Sequence, residues 1–115
     1  IAEENVQPEN DKVFFIVEDM QEFQGGETAL RNEITTLIQY PGVAVENDIQ
    51  GKVYVSFIVD KSGQITNAKI ARGVHPALNK EALRVINSLP NWEPGKQRGQ
   101  AVNVSYTVPI NFTLQ

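Results

Sequence analysis

The closing stretch of the chain, VNVSYTVPINFTLQ (102–115), alternates apolar and polar residues almost without interruption. Val102, Val104, Tyr106, Val108, Ile110, Phe112 and Leu114 fall on one face of a strand, and Asn103, Ser105, Thr107, Pro109, Asn111 and Thr113 on the other. A strand from Val102 to Leu114 spans on the order of 40 Å, longer than most. Proline has no backbone N–H, which confines it to strand edges and bulges. Pro109 therefore predicts that one edge of this long strand is free. A free edge of that length is an aggregation hazard unless it is managed, and a proline and a polar outer face are two ways of managing it. From the residues alone, two readings stand level: the edge is idle and protected, or it receives a strand from another molecule.

The rest of the chain supplies what that strand packs against. A continuous apolar run, VFFIV (13–17), predicts a buried strand. After the glycine pair at 25–26 the period becomes helical, with Leu30, Ile34, Leu37 and Ile38 on one face and Glu27 four residues before Arg31. Pro41 stops that helix and starts a short second one through about Asp48. Gly51 opens KVYVSFIVD, where Val53, Val55, Phe57 and Val59 share a face, and DKSGQ (60–64) is hairpin chemistry. The answering strand, Ile65 to about Ala71, alternates poorly and predicts a bulge near Asn67. Residues 75–90 give the clearest helix, with Leu78, Ala82, Leu83, Ile86 and Leu89 on one stripe and Pro90 ending it. Residues 91–100 read as a loop. The expected fold is α+β: an antiparallel three-stranded sheet, with 13–17 as an optional short N-terminal strand, and two to three helices packed on one face. The expected division is a linker end at 1–12 and one domain at 13–115, of which 13–37 is an N-terminal extension.

Composition removes several function classes. Fourteen acidic against ten basic side chains leave a net charge of −4, and no basic stripe interleaves with aromatics, so nucleic acid is not an expected partner. Cysteine is absent, which excludes disulfides, thiolate metal sites and thiol catalysis. His75 is the single histidine and stands before Pro76 at a helix start, the position of a surface or capping residue. Ser56, Ser62, Ser88 and Ser105 lack a nucleophile-elbow context, and GGET (25–28) lacks the lysine and spacing of a P-loop. No enzyme, cofactor or metal is expected. No apolar run reaches the roughly 18 residues of a membrane span. The chain opens on Ile1, which is read as the start of a fragment whose signal or anchor lies elsewhere. Trp92, between the last helix and the last strand, is expected to anchor the core.

Several spaced elements together resemble the C-terminal domain of the TonB family. They are Tyr40-Pro41 with Ala44, Gly51 opening an alternating strand, Gly63 in the turn, Ala82-Leu83 in the helix, and Trp92 with Pro94 before a closing strand. The resemblance covers roughly residues 38–115. The upstream VEDMQEFQGGETALRNEI is similar to the extension of Bacteroides-type relatives, with Gln21 and Gln24 where prolines are expected.

The resemblance implies a periplasmic domain of an inner-membrane-anchored energy transducer. Such a domain captures the TonB box of TonB-dependent outer-membrane transporters as an added strand. Inner-membrane motor proteins, engaged through regions outside this chain, supply proton-motive force for nutrient uptake. The implied partner-binding residues are Val102, Asn103, Val104, Ser105, Tyr106, Thr107, Val108, Pro109, Ile110 and Asn111. Gln39 and Tyr40 join them, by analogy with family members in which residues just before Tyr-Pro also touch the transporter. Two alternatives accompany this reading. One is a TonB-like peptide-binding or sensing module of another membrane-anchored protein, such as a peptidase or cell-wall scaffold. The other is self-association, with VFFIV pairing on the open edge or two chains exchanging final strands as a homodimer.

Overall fold

The computed structural model describes residues 3–4, 13–17, 20 and 22–114. In chain order the elements are β1 (Glu3–Glu4), β2 (Val13–Ile16), α1 (Gly26–Leu37), α2 (Gly42–Glu46), β3 (Gly51–Val59), β4 (Ile65–Arg72), α3 (Pro76–Asn87), β5 (Gly95–Gln97) and β6 (Gln100–Phe112). The sheet runs β1-β2-β6-β3-β4, with β5 paired to β6 beside this path.

The centre is the antiparallel ladder between β3 and β6, in register from Gly51 opposite Phe112 to Val59 opposite Val104. That register matches the two alternating patterns. Val53, Val55, Phe57 and Val59 lie on the same face as Val104, Val108, Ile110 and Phe112, and all are at most 5% exposed. Leu78, Ala82, Val85 and Ile86 of α3 and Leu30 and Ile34 of α1 complete this core. Each buried Val, Leu, Ile or Phe among them contributes about 1.5–3 kcal/mol by leaving water. Among the described residues the other face, with Lys52, Tyr54, Ser56 and Ile58, carries no helix, so helices on one face is the observed arrangement.

Local chemistry explains the connections. Asp60 Oδ1 accepts the Ser62 and Gln64 N–H groups at 2.9 and 3.0 Å, closing the β3–β4 turn. Asn67 takes φ 53° where the β3–β4 register shifts, which is the expected bulge. His75 caps α3, its Nδ1 accepting the Ala77 N–H at 3.1 Å ahead of Pro76. Trp92 is buried as an anchor, its ring edge-on to Phe23, Phe57 and Tyr106 at 5.5–5.7 Å.

Three expectations are corrected. The sheet is mixed rather than antiparallel, because β2 runs parallel to β6, with Val13 opposite Asn103 and Phe14 opposite Val104. The VFFIV run is a strand but not a buried one: Phe15 and Ile16 are 41% and 54% exposed, since only β6 and the two-residue β1 flank it. Residues 95–99 are a hairpin arm rather than a loop. Arg98 and Gly99 both take positive φ, at 53° and 76°, as a tight hairpin turn between β5 and β6 requires. The proposed linker end, 1–12, lies outside the described residues except for Glu3–Glu4, which pair with β2.

The β3–β4 turn is also where the loop before β5 is fastened. Gly63 sits at φ 83°, and its carbonyl accepts the Trp92 N–H at 2.7 Å. A Cβ at Gly63 would fall 2.0 Å from the Trp92 carbonyl oxygen. Gly63→Ala is predicted to cost roughly 3 kcal/mol, from left-handed strain and forced separation of the two backbones. Urea unfolding of the variant tests this, and a loss below about 1 kcal/mol would show that the turn relaxes freely.

Candidate functional site: the outer edge of the last strand

In an antiparallel ladder each residue turns both its N–H and its C=O towards the partner strand or away from it, alternately. Pro109 stands opposite Tyr54 inside an unbroken stretch of the β3–β6 ladder. A residue without an N–H fits there only with its backbone facing away from β3. The alternation then sets the others. Val104, Tyr106, Val108, Ile110 and Phe112 bond to β3, while Asn103, Ser105, Thr107, Pro109 and Asn111 aim their backbone groups outward.

The outward side is occupied only at its start. There β2 lies beside Asn103 and Val104, while the backbone of Val102, on the inward alternation, meets Gly95 of β5. Among the described residues, no strand pairs with the outer edge of Ser105–Phe112. That leaves roughly 26 Å of unpaired strand edge. Val108 and Ile110 have their side chains buried under the helices, so what they and their neighbours present here is main chain. Thr107, Pro109 and Asn111 are exposed.

Two concavities flank the edge. One, of about 560 Å³, lies between α1 and the end of β6, with Ile34, Ile38, Tyr40 and Phe112 among its walls and Arg31 and Lys52 at its borders. The other, of about 630 Å³, lies on the helix-free face near β2 and includes Phe15, Ile58, Lys69 and Ser105. Among the described residues no cluster of His, Cys, Asp or Glu is arranged to hold a metal ion.

Gln39 and Tyr40 fall in different places relative to this edge. The Tyr40 ring meets Phe112 edge-on at 5.7 Å, which puts it at the end of the open stretch. Its hydroxyl donates to the Ile49 carbonyl. Burial, and then the Asp48 carboxylate, push the phenol above its ordinary value, so it remains a neutral donor. Gln39 is exposed and lines a second cleft of about 420 Å³ with Lys80, Glu81 and Arg84, which Tyr40 also borders. Its backbone N–H donates to Glu81 Oε2 at 2.7 Å. Arg84 Nη2 donates to that carboxylate and to the Leu37 carbonyl, each at 2.6 Å. The Glu81–Arg84 pair thus clamps the segment joining α1 and α2 onto α3.

Sequence reasoning missed the residues beside the edge. Lys52 was within reach of it, because pairing the two alternating strands puts it opposite Asn111. Arg31, Thr35 and Ile38 were not, because nothing local says that α1 lies along β6.

Comparison with known proteins places this geometry in a family. The family model described as the Gram-negative bacterial TonB protein C-terminal matches residues 36–114. The chain belongs to the TonB C-terminal domain family. Over 98 residues it is 35% identical to Protein TonB of Haemophilus influenzae, covering 84% of this chain. The match spans about a third of that relative, 35% of its length. Two solution structures of the Helicobacter pylori TonB C-terminal domain share the fold, each over 76% of this chain. They give TM-scores of 0.57 and 0.58 at 26% and 25% identity, with 92% and 79% of their own chains covered. No helix among the described residues is long and apolar enough to cross a membrane.

The clamp predicts an acid-sensitive component of stability. The hydrogen bonds from Arg84 hold the Glu81 carboxyl below its ordinary value, against the opposing effect of burial, and the Gln39 N–H adds to the lowering. A carboxyl lowered in the folded state stabilises above its unfolded pKa of about 4.3, and that contribution is lost as pH falls through the lower folded value. Glu81→Gln is expected to cost about 2 kcal/mol at pH 7 and to show a shallower loss of stability below pH 4.5 than the native chain. Denaturant unfolding at pH 7 and pH 3 checks this, and parallel pH profiles would rule out the clamp as the source.

Proposed function

We propose that this domain captures an extended segment of a TonB-dependent outer-membrane transporter as an added strand on Ser105–Phe112. In this reading it is the periplasmic part of an inner-membrane-anchored energy transducer. Force generated by inner-membrane motor proteins from the proton-motive force reaches the transporter through the docked strand. The observation that carries the reading is the outer edge of β6 from Ser105 to Phe112, unpaired among the described residues, on which Pro109 offers no N–H.

An incoming strand meets the N–H groups of Thr107 and Asn111 and the carbonyls of Thr107, Pro109 and Asn111. Roughly four to six main-chain hydrogen bonds at about 1 kcal/mol each, less the cost of ordering a peptide, give a reversible contact. Tension along the strand loads these bonds together. The implied set of Val102–Asn111 narrows accordingly: β2 lies on this edge at Asn103 and Val104, so docking centres on Ser105, Tyr106, Thr107, Val108, Pro109, Ile110 and Asn111, with Tyr40 at the far end. Because β2 already lies on the same edge in parallel, it limits how far an incoming strand extends.

Two experiments test this. Isotope-labelled domain is titrated with peptides from the periplasmic N-termini of the organism's outer-membrane transporters. Amide shifts are expected along Ser105–Phe112. Removing residues 1–17 is expected to extend them to Asn103 and to raise affinity severalfold. An absence of shifts with every such peptide would set the proposal aside. Separately, Thr107→Pro deletes one outward N–H and no bond to β3. It is expected to weaken peptide binding about tenfold, equivalent to about 1.4 kcal/mol, and to change stability by less than about 1 kcal/mol. Unchanged affinity in that variant would place the contact somewhere other than this edge.

A further inference from the structure

We propose that the helix-free face of the sheet docks on a membrane leaflet rich in anionic phospholipid headgroups, through Lys52, Lys69 and Arg72 and the exposed ring of Phe15. This surface is separate from the outer edge of Ser105–Phe112 and does not depend on strand addition there.

The observation is a segregation of charge. The chain has 14 acidic side chains, yet β2, β3, β4 and β6 contain no Asp or Glu. The cations on those strands are Lys52, Lys69 and Arg72, and all of them fall on one face. Lys52 alternates with the buried row Val53, Val55, Phe57 and Val59, which turns it away from the helices. Lys69 lies opposite Ser56 and Arg72 opposite Tyr54, so both share the face of Lys52. Each is exposed, and none has a side-chain partner among the described residues. Asp60, at the end of β3, has its Oδ1 occupied by the N–H groups of Ser62 and Gln64. A chain that is acidic overall thus presents one basic face, assembled by strand pairing from residues far apart in sequence.

The same face carries an apolar group in water. Phe15 is 41% exposed and lines an open concavity of about 630 Å³ with Ser56, Ile58, Thr66, Lys69 and Ser105. Strand backbones bond within the plane of the sheet, so this face holds a partner by side chains alone. Cations meet headgroup phosphates, hydroxyls donate to them, and an exposed ring enters the boundary with the acyl chains. An acidic protein segment would engage the cations and leave Phe15 in water. Screening over about 8 Å at physiological salt lets the leaflet respond to this local face rather than to the net charge of −4. With the sheet lying on the leaflet, the helices point away and the outer edge of β6 stays accessible in the plane of the sheet.

The test measures co-sedimentation of the domain 1–115 with vesicles of phosphatidylglycerol or of phosphatidylcholine. At low salt the native domain is expected to bind the anionic vesicles more than about tenfold more tightly, and the ratio should fall as salt is added. Lys52→Gln, Lys69→Gln and Arg72→Gln combined are expected to weaken that binding about tenfold or more. Arg31→Gln, Lys80→Gln and Lys96→Gln combined make the same change in net charge elsewhere and are expected to stay within about twofold of the native domain. Phe15→Ser is expected to weaken binding about threefold with the salt dependence unchanged. Equal binding to both vesicle types at low salt, or an equal loss in the two triple variants, would overturn the proposal. Binding of a glutamate-rich peptide that the first triple variant loses, without binding to anionic vesicles, would assign the face to an acidic protein segment and overturn the lipid assignment.

Discussion

The pairing of β3 with β6 is the constraint on which the rest of the molecule depends. Its register sets Val53, Val55, Phe57 and Val59 beside Val104, Val108, Ile110 and Phe112 in one apolar sheet face. A slip of one residue would turn one of these rows to water, which fixes the register strongly. Once it is fixed, so is the direction of every backbone group along β6. The even-numbered residues from Val104 to Phe112 bond inward and the odd-numbered ones look outward. Pro109 agrees with that assignment, since its missing N–H falls on the outward side. The best strand in the sequence is therefore fully paired on one side and suited to remain open on the other.

The helical layer decides what surrounds the open side. α3 presents Leu78, Ala82, Val85 and Ile86 to the sheet, and on the same helix Glu81 and Arg84 reach the backbone of Gln39 and Leu37. Those bonds place the end of α1 and hence the wall of the cleft at the end of β6. Trp92, edge-on to Phe57 and Tyr106, fixes the other end, where β5 and β2 cover the first residues of the strand. The indole Nε1 is buried with no hydrogen-bond partner among the described residues, and the ring holds its place through buried area and aromatic contacts. An open edge bounded in this way is short enough to resist indefinite pairing and long enough for a peptide.

Much of this was legible in the residues. The period-2 runs predicted β3 and β6, the DKSGQ stretch predicted their neighbour β4, and the 3.6 period predicted α1 and α3, because those signals come from residues close in sequence. The bulge at Asn67, the capping role of His75 and the anchoring role of Trp92 were legible for the same reason. The VFFIV run misled as to burial: an apolar run of that length suits a strand buried on both faces, whereas here it lies towards the sheet margin with Phe15 and Ile16 in water. The β5 hairpin was read as a loop because GKQRG lacks the alternation that marks a strand, and its pairing comes from the positive-φ turn at Arg98 and Gly99.

The sequence by itself determined that a long strand would have one face in the core and one edge unfit for a central place, since alternation and the missing N–H of Pro109 are properties of single residues. It also carried the spaced Tyr-Pro, glycine, Ala-Leu and Trp-x-Pro elements by which the family is recognised. Only the tertiary structure decided which part of that edge stays open. The parallel docking of β2 on Asn103 and Val104, and the placement of α1 with Arg31 across from Lys52, join residues tens of positions apart. No local signal encodes such pairings, because they are chosen by the packing of whole elements against one core.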